Sequence, residues 1–255
     1  MTNPTIEHIS CVIIVKNGEL TIANTLKSLA QFSQVVVYDN GSKDNTMSIA
    51  KTYANVKLVT GTFLGFGDTK NVAASFAEQD WILSLDADET LSTEFVEALR
   101  NVQLLDRHAY QIVRSNFYKS QEIKYCWKKE HITRLYNRND TAFNDNKVHE
   151  FVITDQLTVK TLDGIVNHYP YLNISDFIEK SERYSTLFAQ ENVGKKKSSP
   201  LKAFLNATFT FIKKYIVKGG FLDGYPGLII SFAHMNTNFF KYMKLYEANK
   251  EQQEK

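Results

Sequence analysis

The sequence predicts an α/β protein built around a mainly parallel sheet. In the N-terminal part of the chain, short apolar runs alternate with segments of helical period. The apolar runs are continuous rather than alternating with polar residues, which is typical of strands covered on both faces. Repeated strand–helix–strand units of this kind predict a parallel sheet with helices on both sides.

The elements of this first part follow in regular order. Four strands are predicted at 11–15, 35–38, 56–59 and 81–85. Helices are predicted at 20–32, 45–53, 68–77 and 91–104. Asp44 or Ser42 is expected to cap the second helix, because short polar side chains satisfy the first free N–H groups of a helix.

After about residue 107 the pattern changes to strand-like segments with few helices between them. These segments lie at 109–118, 131–136, 147–153 and 157–166. They predict a mixed sheet that completes the domain. A polar helix is expected at 173–192, and the composition of Lys195–Pro200 is that of a linker.

The composition is that of an ordinary folded protein. The chain has 255 residues, of which 43% are hydrophobic, and a formal net charge of +2. Collagen-like, disordered and disulfide-scaffold proteins are excluded. Cys11 and Cys126 lie far apart in the sequence and are expected to be free thiols. Neither a secretory signal nor an apolar stretch of about 18 residues is visible, so no membrane-spanning helix is expected.

The small net charge conceals a division along the chain. Residues 195–255 contain 11 lysines and 4 acidic residues, a net charge of +7, whereas residues 1–194 carry a net charge of −5. Apolar stripes rich in aromatic residues run through 203–217 and 228–246. Basic amphipathic helices of this kind lie in membrane interfaces, which favours an anionic membrane surface as partner. Packing of these helices on the rest of the chain, or in a dimer, stays open.

Three acids stand directly after the fourth predicted strand, as Asp86, Asp88 and Glu89. Adjacent carboxylates repel each other unless a cation intervenes. Asp86 and Asp88 are two residues apart, so both can share a hard divalent cation that also binds phosphate oxygens. The alternative is that these acids only cap the following helix.

Other polar residues follow the remaining strands. In an open parallel sheet, ligands bind beyond the carboxyl ends of the strands. Lys16 and Asn17 follow the first strand, Asp39 ends the second, and a glycine-containing loop at 61–67 follows the third. This loop has no third glycine and does not follow the first strand, so a dinucleotide-binding fold is disfavoured.

The second half of the chain carries further candidate binding residues. Arg134, Arg138 and Lys147 form a basic strip suited to phosphorylated groups. His149 is a candidate acid–base group, because the ordinary pKa of histidine lies near neutrality.

Four ordered motifs resemble family 2 glycosyltransferases. The motifs are Lys16-Asn17-Gly18-Glu19, Asp39-Asn40-Gly41-Ser42-Lys43-Asp44, Thr69-Lys70-Asn71 and Leu85-Asp86-Ala87-Asp88-Glu89. Three later blocks resemble the lipopolysaccharide core β-1,4-glucosyltransferase branch of that family: Arg134–Arg138, Val148-His149-Glu150 and Lys218–Gly224. The resemblance implies the GT-A fold, in which a Rossmann-like nucleotide-binding half with a mainly parallel sheet precedes a mixed-sheet acceptor region, here followed by C-terminal amphipathic helices.

The resemblance also implies roles for single residues. Asp39 would bind the uracil imide and Lys70 the diphosphate. Asp88 would bind Mg²⁺ or Mn²⁺, while Asp86 would hold the ribose or share the metal. Glu150 would be the catalytic base. Arg134, Arg138 and His149 would be candidates for binding the acceptor. Trp127 would be a platform for stacking a sugar, although an aromatic residue in such a segment is also suited to the core. The competing structural roles are an Asx turn for Asp39, a solvated helix lysine for Lys70, and an ion pair with Arg134 or Arg138 for Glu150.

By this resemblance the chain is a metal-dependent inverting enzyme that moves a hexose, glucose from UDP-glucose, onto a lipopolysaccharide inner-core heptose. It would act as a peripheral protein on the cytoplasmic face of a bacterial inner membrane. Residues 1–107 would bind the nucleotide sugar, 108–194 the acceptor, and 195–255 would form the basic tail. The partners implied are the UDP-sugar, a lipid-linked oligosaccharide and an anionic membrane, with an oligomer left open and no nucleic acid. Two alternatives remain, a family 2 transferase for capsule or O-antigen and a non-catalytic nucleotide-sugar-binding membrane scaffold.

Overall fold

A computed structural model describes residues 5–146 and 150–253. The chain divides into two compact units. The first comprises Met1–Ser115 and Lys129–His168, and the second comprises Asn116–Lys128 and Tyr169–Lys255. The polar helix at 173–192 therefore belongs to the same unit as the basic tail.

Four parallel strands form the first half of the sheet. They are β1 (Ile9–Val15), β2 (Val35–Asp39), β3 (Val56–Thr60) and β4 (Trp81–Asp86). Their order in the sheet is β3-β2-β1-β4, with Val15 beside Asp39 and Ile14 beside Asp86. Because the strands are parallel, Asp39 and Asp86 lie at the same edge, on either side of β1.

Four helices cover this half of the sheet on both faces. They are α1 (Ile22–Ser28), α2 (Thr46–Ala50), α3 (Phe66–Ser75) and α4 (Thr93–Asn101). One set of strand residues packs with α1, α2 and α4, and the alternate set packs with α3. This arrangement confirms the α/β class, and it explains the continuous apolar runs, since successive side chains of a strand enter opposite cores.

The second half of the sheet is mixed. Its strands are β5 (Glu89–Leu91), β6 (His108–Tyr118), β7 (Gln121–Glu122), β8 (Glu130–Asn137), β9 (Thr158–Thr161) and β10 (Val166–Tyr171). The order continues from β4 through β8, β6 and β10 to β5, and both β7 and β9 pair with β6. Strand β8 runs antiparallel to β4, so residues near its start lie at the edge where β4 ends.

Some predicted elements differ from the structure. A single strand was expected at 157–166, but the turn at Gly164 divides it into β9 and β10. Gly164 has a φ of +88°, and a Cβ there would lie 2.3 Å from the backbone nitrogen of Phe95. A helix was expected from 91, but Leu91 pairs with Val166 in β5, and α4 begins only at Thr93.

The strand expected at 147–153 is also different in its described part. Residues 147–149 lie outside the described residues. Residues 150–153 contribute an isolated bridge between Val152 and Phe143. The side chain of Asn144 accepts the hydrogen bond of Phe151 N–H over 3.0 Å, so a side chain replaces a ladder partner at this point.

The second unit is mostly helical. Its helices are α5 (Ile174–Asn192), α6 (Pro200–Phe211) and α7 (Gly224–Gln253), and a π-helical segment (Ile212–Val217) and a 3₁₀ turn (Gly220–Asp223) lie between α6 and α7. Asn173 and Asp176 form a capping box at the start of α5. Cys126 lies in the core of this unit, and it and Cys11 are both free thiols, as predicted.

Helix α6 packs with its small residues inwards. Ala203 and Ala207 are buried, whereas Phe204 is 59% exposed and Phe209 is 64% exposed. The apolar stripe seen in the sequence is therefore mainly on the outside of this unit. Among the described helices, none is long and apolar enough to cross a membrane.

Candidate active site

The acids at the end of β4 occupy a tight turn between β4 and β5. Glu89 is fully buried, and its Oε2 accepts a hydrogen bond from the backbone N–H of Asp86 over 2.9 Å. The cap of α4 is instead Ser92, whose hydroxyl accepts from Phe95 N–H. The acids therefore do not cap this helix, and the capping alternative is excluded.

Three cations surround the carboxylate of Asp86. Lys70 Nζ lies 3.0 Å from Oδ1, Arg134 Nη2 lies 3.1 Å from Oδ2, and Arg114 Nη1 lies 3.7 Å from Oδ2. Burial disfavours the charged carboxylate, but the charges of Lys70 and Arg134 outweigh it and hold the pKa of Asp86 well below its usual range. Asp86 is thus an anion whose charge is balanced within the chain.

Arg114 links the buried turn to the mixed half of the sheet. It extends from β6 and lies 3.1 Å from Glu89 Oε1 and 2.7 Å from Glu130 Oε2. Burial, followed by the nearby charge of Asp86, raises the pKa of Glu89. Arg114 and Glu89 were not among the candidates for binding or catalysis. The register that brings β6 close to this turn is set by strand pairing, which no local motif encodes.

Glu150 lies in the same cluster as Asp86, because both carboxylates contact Lys70 Nζ. Its Oε1 lies 2.8 Å from Lys70 Nζ, and the side chains of Lys70 and Glu150 are 2% and 14% exposed. A solvated helix lysine is therefore excluded for Lys70. The ion-pair partner of Glu150 is Lys70 rather than Arg134 or Arg138, which were the partners considered from the sequence.

Helix α3 holds the chain segment that leads to Glu150. The side-chain amide of Asn71 donates to Phe143 O and accepts from Phe143 N–H, each over 2.9 Å. Gly67 lets the segment approach closely, because a Cβ there would lie only 1.9 Å from Asn144 O. The Thr69-Lys70-Asn71 motif therefore anchors two elements at once, Asp86 of β4 through Lys70 and the described segment at 143–146 through Asn71.

Asp88 lies beside a histidine from the mixed half of the sheet. Its Oδ2 is 3.6 Å from Nε2 of His168, a residue of β10. Within the described residues, no group of three or more His, Cys, Asp or Glu side chains is arranged to hold a metal. A metal at this place would therefore take its other ligands from a substrate or from water.

Asp39 combines a satisfied oxygen with an unsatisfied one. Its Oδ2 accepts from the N–H groups of Gly41 and Ser42, each over 3.0 Å, which is the Asx turn considered from the sequence. Its Oδ1 is buried and has no hydrogen-bond partner within the described part of the chain. A buried acceptor without a donor is costly, so this oxygen is suited to a ligand N–H.

Lys16 and Asn17 lie at the same sheet edge, beyond β1. Lys16 is exposed. Asn17 has a φ of +56° and is fixed by two hydrogen bonds: its Oδ1 accepts from Lys43 N–H over 2.9 Å, and its own N–H donates to Ser42 Oγ over 2.8 Å. These bonds tie the loop after β1 to the loop that follows Asp39.

Of the remaining candidates, Arg138 is not brought to this cluster. Arg138 pairs with Asp80 over 3.1 Å, and Arg138 N–H also donates to Asp80 O. Asp80 precedes β4, so Arg138 lies at the opposite end of that strand from Asp86, and the basic strip predicted with Arg134 does not form. Trp127 lies in the second unit, and His149 lies outside the described residues.

The sheet and its acidic edge define a GT-A protein of the α/β class. The mannosyltransferase PcManGT from Pyrobaculum calidifontis, solved in complex with GDP-Man and Mn²⁺, has a similar fold. The TM-score is 0.51 at 12% sequence identity, and the match covers 96% of this chain and 88% of that chain. The chain belongs to glycosyl transferase family 2, whose sequence model matches residues 10–161.

Curated relatives extend the similarity through the second unit. A glycosyltransferase of Rickettsia typhi is 30% identical over 256 residues, which span 94% of this chain and 87% of the relative. The lipopolysaccharide core biosynthesis glycosyltransferase LpsC of Rhizobium meliloti is 24% identical, and the match covers 94% of this chain and 93% of LpsC. The helices after residue 169 are therefore part of the matched length, although they lie beyond the family match.

Proposed function

We propose that this family 2 glycosyltransferase transfers glucose from UDP-glucose, with inversion, onto a heptose of the lipopolysaccharide inner core. The contact between Lys70 and Glu150 carries the proposal, because it places a carboxylate from the segment after β8 close to Asp86 at the end of β4. The similarity to LpsC and the motifs of the glucosyltransferase branch support the substrate class.

The edge formed by β1 and β2 is proposed to bind the nucleotide. The buried Oδ1 of Asp39 would accept the imide N–H of uracil, which supplies the missing donor. Lys16 and Asn17 flank the same edge and would contact the ribose and diphosphate. Lys70, predicted to bind the diphosphate, would have to leave two carboxylates to do so. We therefore propose that Lys70 chiefly holds Glu150 and Asp86.

Asp88 and His168 are proposed to hold a divalent cation, Mg²⁺ or Mn²⁺. A carboxylate oxygen and an imidazole nitrogen 3.6 Å apart fit this role, since both are ordinary ligands of such ions. Asp86 fits it less well, because Lys70 and Arg134 already neutralise it. When bound, the ion would neutralise the departing diphosphate as a Lewis acid.

Glu150 is proposed to be the general base. It would accept the proton of the acceptor hydroxyl while that oxygen bonds to C1 of the sugar, and the bond from C1 to the diphosphate oxygen would break on the opposite face. The products are the β-linked glycoside and UDP. Lys70 would keep the carboxylate of Glu150 oriented within hydrogen-bond distance of its own ammonium.

The test is release of the nucleoside diphosphate from a panel of donors, UDP from UDP-glucose and GDP from GDP-mannose among them, in the presence of Mn²⁺ and a heptose-containing acceptor. Glu150→Gln is expected to lower kcat by roughly 10²–10⁴-fold. Asp88→Ala is expected to lower metal-dependent turnover by roughly a thousandfold. Two matched controls, Glu78→Gln and Asp163→Asn, change exposed acids of the same unit and are expected to be neutral. Turnover that is independent of metal and of Glu150 would contradict the mechanism, and no turnover with any donor would favour the scaffold alternative.

We also propose that α6 and the π-helical segment lie in an anionic membrane interface, where the lipid-linked acceptor is found. Exposed apolar side chains on this stretch are Leu201, Phe204, Leu205, Phe209, Ile212, Ile216 and Val217. An apolar patch of this kind on a basic unit is typical of membrane-binding surfaces. This supports a peripheral location at the cytoplasmic face of the inner membrane.

Sedimentation with vesicles of phosphatidylglycerol in phosphatidylcholine tests this surface. Replacing both Phe204 and Phe209 with serine is expected to weaken vesicle binding by at least roughly tenfold. Each phenyl ring moves out of water when the protein binds the membrane, and serine removes that gain. Leu20→Ser is the control, since Leu20 is 70% exposed but belongs to the first unit. Equal binding of the double variant and the control would contradict the proposed orientation.

A further inference from the structure

A cluster of side chains in the second unit has more hydrogen-bond donors than acceptors. Trp127 Nε1 donates to His234 Nε2 over 3.2 Å, and Lys214 Nζ lies 3.4 Å from the same nitrogen. A neutral imidazole has one acceptor nitrogen with one lone pair, so the two donors compete for it. Lys214 is therefore left with N–H groups that lack an acceptor among the described residues.

The charges acting on this cluster are positive. Burial, followed by the charges of Lys214, Lys241 and Lys218, lowers the pKa of His234 to about 4, so the imidazole is neutral at pH 7. Burial, followed by the charge of Lys218, also lowers the pKa of Lys214. In the part of the chain that the structure describes, no carboxylate is within ion-pair distance of Lys214 Nζ. We call Lys214, Lys218, Lys241 and His234 the basic cluster.

The buried acid of the 3₁₀ turn is already hydrogen-bonded by backbone N–H groups. Asp223 is 2% exposed, and its carboxylate accepts from the backbone N–H groups of Lys124, Tyr125 and Cys126 over distances of 2.8 to 3.2 Å. The pKa of Cys126 is raised to about 12, chiefly by burial and then by Asp223, whereas the charge of Lys214 acts to lower it. Asp223 therefore holds the loop before Trp127 in place and does not neutralise Lys214.

Trp127 and Gly220 pack around the basic cluster. The ring of Trp127 stacks on Tyr171 at 5.7 Å and meets the edge of His234 at 6.1 Å. A Cβ at Gly220 would lie 2.8 Å from Lys214 O, so glycine is needed for the 3₁₀ turn to approach the π-helical segment. The backbone of Lys214 thus packs closely against the 3₁₀ turn, and its ammonium lies near the imidazole that Trp127 contacts.

We propose that the basic cluster binds a phosphate group. Its oxygens accept hydrogen bonds from Lys214 Nζ, and its negative charge balances the positive charges of Lys218 and Lys241. A phosphate is favoured because it offers several acceptor oxygens to donors that come from different chain segments. The group belongs either to a lipid headgroup or to a soluble phosphorylated compound, and the recognition chemistry is the same. None of the residues proposed for sugar transfer belongs to this site, so a test of the site does not depend on that reaction.

Trp127 provides a built-in probe, because the full chain has 2 tryptophans and Trp81→Phe leaves Trp127 as the sole reporter. The fluorescence of this parent is followed during titration with sodium phosphate, against sodium chloride at equal ionic strength. A second titration uses vesicles of phosphatidylglycerol in phosphatidylcholine, against phosphatidylcholine alone. No sugar donor is present, so the result does not depend on turnover.

Lys214→Met is compared with Lys197→Met, which removes the same charge from an exposed position outside the basic cluster. Lys214→Met is expected to weaken phosphate binding by about tenfold or more, and Lys197→Met by less than about twofold. A larger effect of Lys214→Met than of Lys197→Met on the binding of inorganic phosphate supports a soluble ligand. The same difference between the two variants seen only with anionic vesicles supports a lipid headgroup. Equal effects of the two variants on both probes would overturn the proposal.

Thermal unfolding checks that the variants fold. Lys214→Met is expected to be at least as stable as the parent, because it removes an ammonium that has no acidic partner. Lys214→Glu supplies an internal acceptor for Lys218, so its Tm is expected to rise and to become insensitive to phosphate, whereas the Tm of the parent rises with phosphate. A phosphate-dependent Tm that persists in Lys214→Glu would also refute the site.

Discussion

Removal of the Lys70 ammonium isolates the interaction that joins the halves of the candidate active site. Lys70→Met keeps a side chain of similar length, so little cavity forms, but it leaves Glu150 without the cation 2.8 Å away. Asp86 keeps Arg134 at 3.1 Å, so the loss falls mainly on Glu150. Breaking one buried ion pair in this way costs about 3–5 kcal/mol, and the residual exposure of Glu150 puts the expected value near about 3 kcal/mol.

The assay is thermal unfolding of the full chain, with a double-mutant cycle. A loss of about 3 kcal/mol corresponds to a fall in Tm of about 6–12 °C for a chain of this size. Glu150→Gln in the Lys70→Met background removes the uncompensated charge and is expected to recover more than half of the loss. Lys43→Met, at an exposed site of the same unit, is the control and is expected to leave Tm unchanged.

Additive effects of Lys70→Met and Glu150→Gln, within about 0.5 kcal/mol, would refute the reasoning, because residues in direct contact are expected to couple. An unchanged Tm for Lys70→Met alone would refute it as well. The coupling is measured without any substrate, so it tests the geometry of the site and not the reaction.

Two further predictions concern the titration of His234 and the packing of Gly67. Between about pH 6.5 and 4 the unfolded chain binds a proton at His234 that the folded chain does not, so stability falls as the pH is lowered through this range. His234→Gln is expected to reduce this fall, as measured by urea unfolding at pH 7 and pH 4.5, and an unchanged pH dependence would contradict it. Gly67→Ala is expected to displace residues 143–146, since its Cβ would meet Asn144 O, and to lower activity more than Tm. Circular dichroism and turnover measured together check this, and full activity would show that the close approach is dispensable.

Much of the first unit follows from sequence pattern. Continuous apolar strands and the residues that follow them were sufficient to predict the parallel sheet and the edge that carries Asp39 and Asp86. The reason is geometric, because every parallel strand ends at the same edge, so position along the chain translates directly into position in the site.

The antiparallel part of the sheet was predicted less completely from the sequence. Arg114 and His168 reach the acids of β4 through β6 and β10, and their positions depend on the pairing register of distant strands. Arg134 and Arg138 are four residues apart and would share a face of one strand, but Arg138 lies beyond the end of β8, where its backbone bonds to Asp80. Register and strand ends are tertiary properties, so a local motif cannot specify them.

The outward face of α6 illustrates a second limit. Helical periodicity in the sequence identifies an apolar stripe, but it does not say which side of the helix faces the protein. Ala203 and Ala207 permit close approach of backbone to backbone, and this packing turns the larger residues outwards. Whether small or large residues form the contact depends on the partner helix, which the pattern of one helix does not contain.

The ammonium of Lys70 has a consequence for how the first unit is completed during folding. It joins residues 16 and 80 positions away along the chain, Asp86 and Glu150. An intermediate with only the four parallel strands contains the first contact but not the second, since Glu150 lies far downstream. Long-range closures of this kind form late, after the local units have been assembled. The contact between Lys70 and Glu150 therefore needs the segment around residue 150, and the proposed base is missing from any shorter part of the chain that contains only the four parallel strands.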